Sequence, residues 1–308
     1  MRRVARRILQ IIPTLFLITV AIFLLVRLLP GDPVSNMLGN RGTPEAIARL
    51  RTQMGLDGGL LWQFWAFLRG MAHGDLGSSI VARIPVTTLI EYRLPVTIYL
   101  TVMAAVLSVV LALPCAFAAA IWRDRWPDML VRGVFQVGLS APVFYTGLLM
   151  LGFLAARMRL FPVGGMGVGV VDSMYHLFLP ALTLALSLAA ILMRNLRAAI
   201  IGVLRAEYID FARAKGLSPW LILSRHVLRN ALISAVPLFG LNIGTLLGGA
   251  VVTEAVFAVP GVGALMVDSI SGRDYPVVQG MTLALAVVVC LVFLATDLLE
   301  SWLDPRAA

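Results

Sequence analysis

Charge is scarce in this sequence: Asp, Glu, Lys and Arg make up 13% of its 308 residues, whereas 60% are hydrophobic. A soluble globule of that size would have too few polar residues to cover its surface, which excludes the water-soluble globular class. Lysine is nearly missing, since Lys215 stands alone. A phosphate loop of the form GxxxxGK(S/T) needs a lysine to reach the terminal phosphates, and Arg213-Ala214-Lys215-Gly216 cannot supply one. The chain is therefore expected not to be an enzyme and to carry no cofactor, any ATP and magnesium being held by another polypeptide. Cysteine is limited to Cys115 and Cys290, both in apolar stretches, which gives no disulfide framework and no CxxC metal site. They read as small packing residues. His73, His176 and His226 are too scattered to form a ligand set, so no metal site and no catalytic residue is assigned.

What is present in abundance is apolar sequence, with a mean hydropathy of +0.92. A helix needs about 20 residues to cross about 30 Å of hydrocarbon, and six such stretches are expected. They lie at 8–29, 95–121, 130–156, 176–193, 231–253 and 276–296. The fold class is thus an all-α integral membrane protein with six transmembrane helices, read as one domain over 1–308. The first span, led by Arg2, Arg3, Arg6 and Arg7 and interrupted by Pro13 and Arg27, is unlike a cleaved signal peptide and is expected to be retained. Leu28 to Pro33 ends it. An external segment, 31–94, follows with two short helices. In the first, Thr43 caps, Pro44 takes the first helical position and Gly55 stops it. The second, 60–68, carries Trp62 and Trp65, whose amphipathic rings suit a membrane interface.

The formal net charge of +9 does not indicate nucleic acid, because the basic residues fall mainly beside the spans. Most of them lie before the first span, in the short loop with Arg123, Arg125 and Arg132, and in the segment 194–230. By the positive-inside rule these segments and both termini are expected to be cytoplasmic, in a multi-pass membrane protein. The middles of the last five spans contain no Asp, Glu, Lys or Arg; Glu254 is placed just past the fifth span and Asp297 and Glu300 beyond the sixth. A proton- or sodium-driven carrier needs ionisable or unwound polar sites near the midplane, so this pattern weighs against a secondary carrier.

The segment from Glu207 to Trp220 reads as helix, turn, helix: Gly216 takes a left-handed conformation, Ser218 caps and Pro219 opens the second helix. Direct attachment to spans at both ends argues against a DNA-reading role. Asp210 to Gly216, followed by His226-Val227-Leu228-Arg229-Asn230-Ala231-Leu232, resembles the EAA coupling loop of ABC-importer permeases of the dipeptide, oligopeptide and nickel family. Asp210, Phe211 and Ala212 stand where the family motif has Glu-Ala-Ala, so Ala212 and Gly216 match strictly and the first acidic position departs. Further similar stretches run in order along the chain, among them Arg27 to Pro33, Arg93 to Pro95, Leu179 to Thr183, Gly248 to Val252, Val259 to Gly263, Arg273 to Gly280 and Leu303 to Arg306.

The resemblance implies a type I ABC-importer permease fold and a B-type subunit that forms a heterodimer with a homologous C-type permease. It also implies two ATP-binding subunits and an external substrate-binding protein, in a system driven by alternating access. Asp210, Ala212, Arg213, Ala214, Lys215, Gly216, His226 and Arg229 are the implied contacts to the ATPase. Di- or oligopeptides are the leading substrate class, with nickel or glutathione the alternatives inside the family and a secondary carrier or a non-transporting scaffold outside it.

Gly240, Gly244 and Gly248 form one face of the fifth span and suit either packing within the chain or a subunit or pathway interface. Asn242, a lone polar group in that span, is expected to bond another helix or touch substrate. Pro260, Gly261 and Gly263 lead into a short apolar stretch, 264–270, which resembles an external gate or binding-protein contact, the other reading being an interfacial anchor. Arg273 and Asp274 beside it are read as a surface pair or cap worth little.

Overall fold

The computed structural model describes residues 2–28, 43–53 and 57–303. Among them the regular structure is helical, with one isolated antiparallel bridge between Ser78 and Pro85. The helices are α1 (Arg2–Leu28), α2 (Pro44–Gln53), α3 (Leu60–Ala72), α4 (Val86–Ile121), α5 (Trp126–Ser140), α6 (Val143–Met150), α7 (Val170–Leu204), α8 (Glu207–Ala214), α9 (Pro219–Leu221), α10 (Leu228–Val256), α11 (Val262–Ser271) and α12 (Tyr275–Leu303). Wide π-helical turns, Leu151–Arg157 and Ile222–Val227, extend α6 and join α9 to α10. The Leu29 to Pro33 stop, the stop at Gly55 and the stretch Asp304 to Arg306 lie outside the described residues.

Among the described residues, four stretches are long and apolar enough to cross a membrane: α4, α7, α9 with α10 as one helix, and α12. The expected third span is not one straight helix. Its two halves, Trp126–Ser140 and Val143–Arg157, meet at 103° and count as a fifth span only if the bent pair is taken together. The cause is local. Pro142 has no amide hydrogen, and its ring drives the preceding residue out of the helical region, leaving Ala141 extended at φ −81°, ψ 131°. The apolar part of α1, Leu9–Leu25, is shorter than the four long stretches. Six spans therefore remain an expectation for the count.

Several boundaries differ from expectation in one direction: the helices outlast their apolar stretches. α4 begins nine residues before Pro95, at Val86, and α7 runs on to Leu204. α12 reaches Leu303, so Asp297 and Glu300 lie on the helix rather than beyond it. Hydropathy marks where lipid ends, whereas backbone hydrogen bonding continues into water.

The chain divides into two compact units. The first comprises Met1–Val96 and Pro260–Val288, the second Thr97–Val259 and Val289–Ala308. In the first unit Val86, Val262, Val277 and Met281 form a small core with Leu76, Leu89, Ile90 and Leu265 against it. Here too α1 meets α3: Phe23 packs edge-on to Phe64, with centroids 5.0 Å apart. Arg27 lies 3.4 Å over the Phe23 ring and donates to Gln63 Oε1 at 2.9 and 3.1 Å, which explains a guanidinium at the end of an apolar helix.

In the second unit α7 is the central helix, with 67% of its most apolar window buried against 28–44% for the other three long stretches. Leu184, Leu188, Leu192, Leu196 and Ile200 run down one face of it at four-residue spacing. They meet Ala104, Ala112 and Ala116 of α4 and Ala231, Ala235 and Ala250 of α10. Alanine at these positions lets helix backbones approach closely, the usual solution where lipid provides no hydrophobic drive between helices. The other long helices keep broad apolar faces bare, including Val102, Val106 and Val110 of α4 and Leu291 of α12. Such faces suit lipid or other subunits.

Candidate functional site

The segment after α7 builds a helix–turn–helix from local signals. Glu207 and Asp210 occupy the first turn of α8 and Arg213 its last, which complements the helix dipole. Beyond Lys215 the chain turns left-handed at Gly216, with φ +76°. Two hydrogen bonds close the end: Gly216 N–H donates to Arg213 O at 2.9 Å and Leu217 N–H to Ala212 O at 3.2 Å. That pair of bonds is the Schellman arrangement, and it satisfies carbonyls that would otherwise be left open. Ser218 then accepts from Leu221 N–H at 3.4 Å and Pro219 opens α9. Asn230 Nδ2 donates to Tyr208 Oη at 3.3 Å and to His226 O at 2.6 Å, tying α8 to the start of α10.

The segment has an inner and an outer face. Ile209, Ala212, Ile222 and Val227 are buried in the core of the second unit. Asp210, Arg213, Ala214, Lys215, Gly216 and Arg229 are exposed, while His226 is half-buried. Ala212, one of the strict motif matches, thus points inward and packs the segment. Two residues absent from the expected contact set are prominent on the outside: Phe211 is 68% exposed and Trp220 is 77% exposed. Their signal in the sequence was a pair of large aromatics among basic residues in a non-spanning loop. Aromatic and arginine side chains are the types enriched in protein interfaces. The Arg213–Asp210 pair, at 3.1 Å, is exposed on both sides and contributes little.

A clamp that sequence reasoning missed holds the stem of this segment. Asp128, in the first turn of α5, is fully buried. Arg197 of α7 donates to both its oxygens, at 2.7 and 2.6 Å, Asp124 N–H adds a third bond at 3.0 Å, and Arg132 lies at 3.2 Å. A buried carboxylate is tolerable when its lone pairs are filled in this way. Asp128 and Arg197 are 69 residues apart, and no local pattern announces the pairing.

The remaining candidates separate. Gly240 abuts α12 within the second unit: a Cβ there would overlap the Thr296 side chain. At Gly244 a Cβ would make ordinary contact with Phe293 at 3.7 Å, and at Gly248 it would meet nothing within 4 Å. Among the described residues the hydrogen bond of Asn242 stays within its own helix: its Nδ2 donates to Leu238 O at 2.6 Å. Glu254, expected past the span, lies in the last turn of α10, is fully buried and accepts from Thr97 Oγ1 at 2.6 Å.

In the first unit Gly261 and Gly263 are buried at the start of α11, where small residues keep the turn close to the core, and Pro260 is half-buried beside them. Arg273 is exposed, with φ +55°. Asp274 is not a surface residue, since it is 2% exposed. Its carboxylate accepts from Ser79 Oγ and from the N–H groups of Ile80 at 3.0 Å and Val81 at 3.2 Å, so it fastens the 78–85 turn.

Several long apolar helices, with a structured basic loop between two of them, define a multi-pass membrane protein. Residues 112–308 match the binding-protein-dependent transport system inner membrane component, and residues 1–101 match the N-terminal model of the same kind of component. The chain belongs to this family: it is an inner-membrane permease subunit of an ABC importer of the peptide and nickel type. It is 40% identical over 302 residues to the glutathione transport system permease protein GsiC of Escherichia coli O6:H1 (strain CFT073), covering 98% of this chain and 97% of the relative. It is 39% identical over the same length and with the same coverage to the protein of that name from Salmonella paratyphi A (strain ATCC 9150 / SARB42). Among solved structures, an inward-facing MetNI methionine ABC transporter chain superimposes with a TM-score of 0.61 at 19% identity, over 71% of this chain and 97% of that one. At that identity the likeness concerns the fold, and the fold is the type I ABC-importer permease.

Proposed function

We propose that this subunit forms half of the pathway of a binding-protein-dependent importer of short peptides, with glutathione the first substrate to test. The observation that supports the substrate class is similarity to the glutathione permeases over 302 residues, 98% of this chain and 97% of the relative. In this reading a homologous C-type permease supplies the other half, an external binding protein delivers the peptide, and two ATP-binding subunits hold ATP and magnesium.

The segment 194–229 faces the cytoplasm and docks on one ATP-binding subunit. Its inner face, Ile209, Ala212, Ile222 and Val227, makes it move as one piece with α7 and α10. Its outer face offers Phe211 and Trp220 as apolar anchors, ringed by Asp210, Arg213, Lys215 and Arg229. Closure of the ATPase pair then pushes the loop, the Asp128–Arg197 clamp passes the motion to the α4–α5 connection, and the long helices re-pack between inward- and outward-facing states. The energy comes from ATP on the partners.

The test is competition in proteoliposomes holding the complete complex and binding protein. ATP-dependent uptake of labelled glutathione should be inhibited by short peptides and left unaffected by nickel. Uptake of nickel that ignores glutathione would reassign the substrate within the family.

A further inference from the structure

We propose that the cavity between α5 and α7 is a seat for the headgroup of an anionic phospholipid. The cavity has a volume of about 440 Å³ and lies wholly within the second unit. Its walls carry Arg132, Gly133, Gln136 and Leu139 of α5 with Met193 and Arg194 of α7. Arg132 and Arg194 each lie about one turn further into their helix from the Asp128–Arg197 clamp, so the clamp brings two guanidinium groups to one mouth.

The charge there is cancelled only in part: Arg132 pairs with Asp128 at 3.2 Å, but it shares that carboxylate with Arg197. Arg194 is exposed and has no carboxylate within ion-pair distance among the described residues. Two guanidinium groups and a side-chain amide above an apolar floor suit a phosphate diester: the guanidinium forks match its oxygens. Gly133 keeps the space open, since a Cβ there would meet nothing within 4 Å.

Lipid is favoured as the source of the phosphate by what flanks the cavity. It lies where the short basic connection with Arg123 and Arg125 joins apolar helices, the level at which headgroups meet basic side chains. Alongside, Leu130, Val134 and Val137 of α5 are exposed and apolar, a surface suited to the acyl chains. Anionic glycerophospholipid is the class that combines phosphate and tail in one molecule.

The test uses the purified complex containing the full chain, stripped of lipid in detergent. Native mass spectrometry then counts retained phosphatidylglycerol against phosphatidylcholine of the same acyl chains, with inorganic phosphate and glutathione as competitors. Wild type should retain phosphatidylglycerol preferentially. Arg194→Gln, at an exposed position, and Gly133→Leu, which fills the space, should each weaken that retention about tenfold, the loss of one charge-assisted contact or its room. Equal retention of the two lipids, unchanged retention in either variant, or displacement of the lipid by glutathione or by inorganic phosphate would overturn the assignment.

Discussion

Replacing Gly216 by valine places a β-branched side chain at φ +76°, where the Cβ itself meets nothing within 4 Å. The leading cost is therefore conformational. A left-handed L-residue costs about 1–2 kcal/mol, and a β-branched one lies at the upper end or beyond. The chain can avoid that cost only by leaving the left-handed region, which breaks the bonds from Gly216 N–H to Arg213 O and from Leu217 N–H to Ala212 O. Two such bonds contribute about 0.5–1.5 kcal/mol each, a sum close to the strain it would relieve. Where the chain leaves the left-handed region the turn no longer directs Ser218 and Pro219 into α9, and Trp220 loses its place on the outer face. A global stability of about 5–15 kcal/mol survives a change of this size, so the protein should still be made and inserted. The expected result is near-normal membrane abundance, weaker co-purification of the ATP-binding subunits, and joint loss of substrate-stimulated ATP hydrolysis and uptake. Gly216→Asn, which tolerates the left-handed region, should retain most activity. Wild-type transport by Gly216→Val at normal abundance would refute the reasoning, and so would failure of Gly216→Asn to outperform it.

Other perturbations test the frame around the loop. Asp128→Ala leaves Arg197 largely buried without its partner, which should cost about 3–5 kcal/mol, seen as a lowered thermal midpoint in detergent; pairing it with Arg197→Met should recover part of the loss. Gly240→Leu forces a side chain into Thr296 and should destabilise by about 1–3 kcal/mol or more, whereas Gly248→Ala, with open space around it, should leave folded yield unchanged. Asp274→Ala removes the acceptor of Ser79, Ile80 and Val81, and hydrogen exchange at the Ile80 and Val81 amides should accelerate while amides in the α7 core stay protected. Trp220→Ala should weaken co-purification of the ATP-binding subunits without changing the melting temperature, since the ring is exposed and holds nothing in place.

How far the fold was legible follows from the range of each signal. The long apolar spans were visible because lipid demands them residue by residue, and the 216–219 turn was visible because glycine, serine and proline act on their own backbone. The bend at Ala141-Pro142 had a local signal too, but hydropathy runs smoothly through it and hid a 103° change of direction. Asp128, Asp274 and Glu254 were not legible as buried groups, because their partners Arg197, Ser79 and Thr97 come from distant segments. The Gly240 face shows the same limit: three glycines equally spaced in sequence meet a tight neighbour, a loose one and open space. In the loop, the motif fell on a segment that folds as helix, turn, helix but did not give its orientation; Ala212 turned inward, and Phe211 and Trp220 took the surface.

The most direct measurement of the central claim is uptake into proteoliposomes by this chain alone and by the complete complex, each with ATP and with an imposed proton or sodium gradient. The complex should accumulate substrate only with ATP, and the purified chain should neither transport nor hydrolyse ATP under either condition. Gradient-driven uptake by the isolated chain, or ATP turnover by it that survives removal of contaminating ATPases, would contradict a permease whose energy comes entirely from its partners.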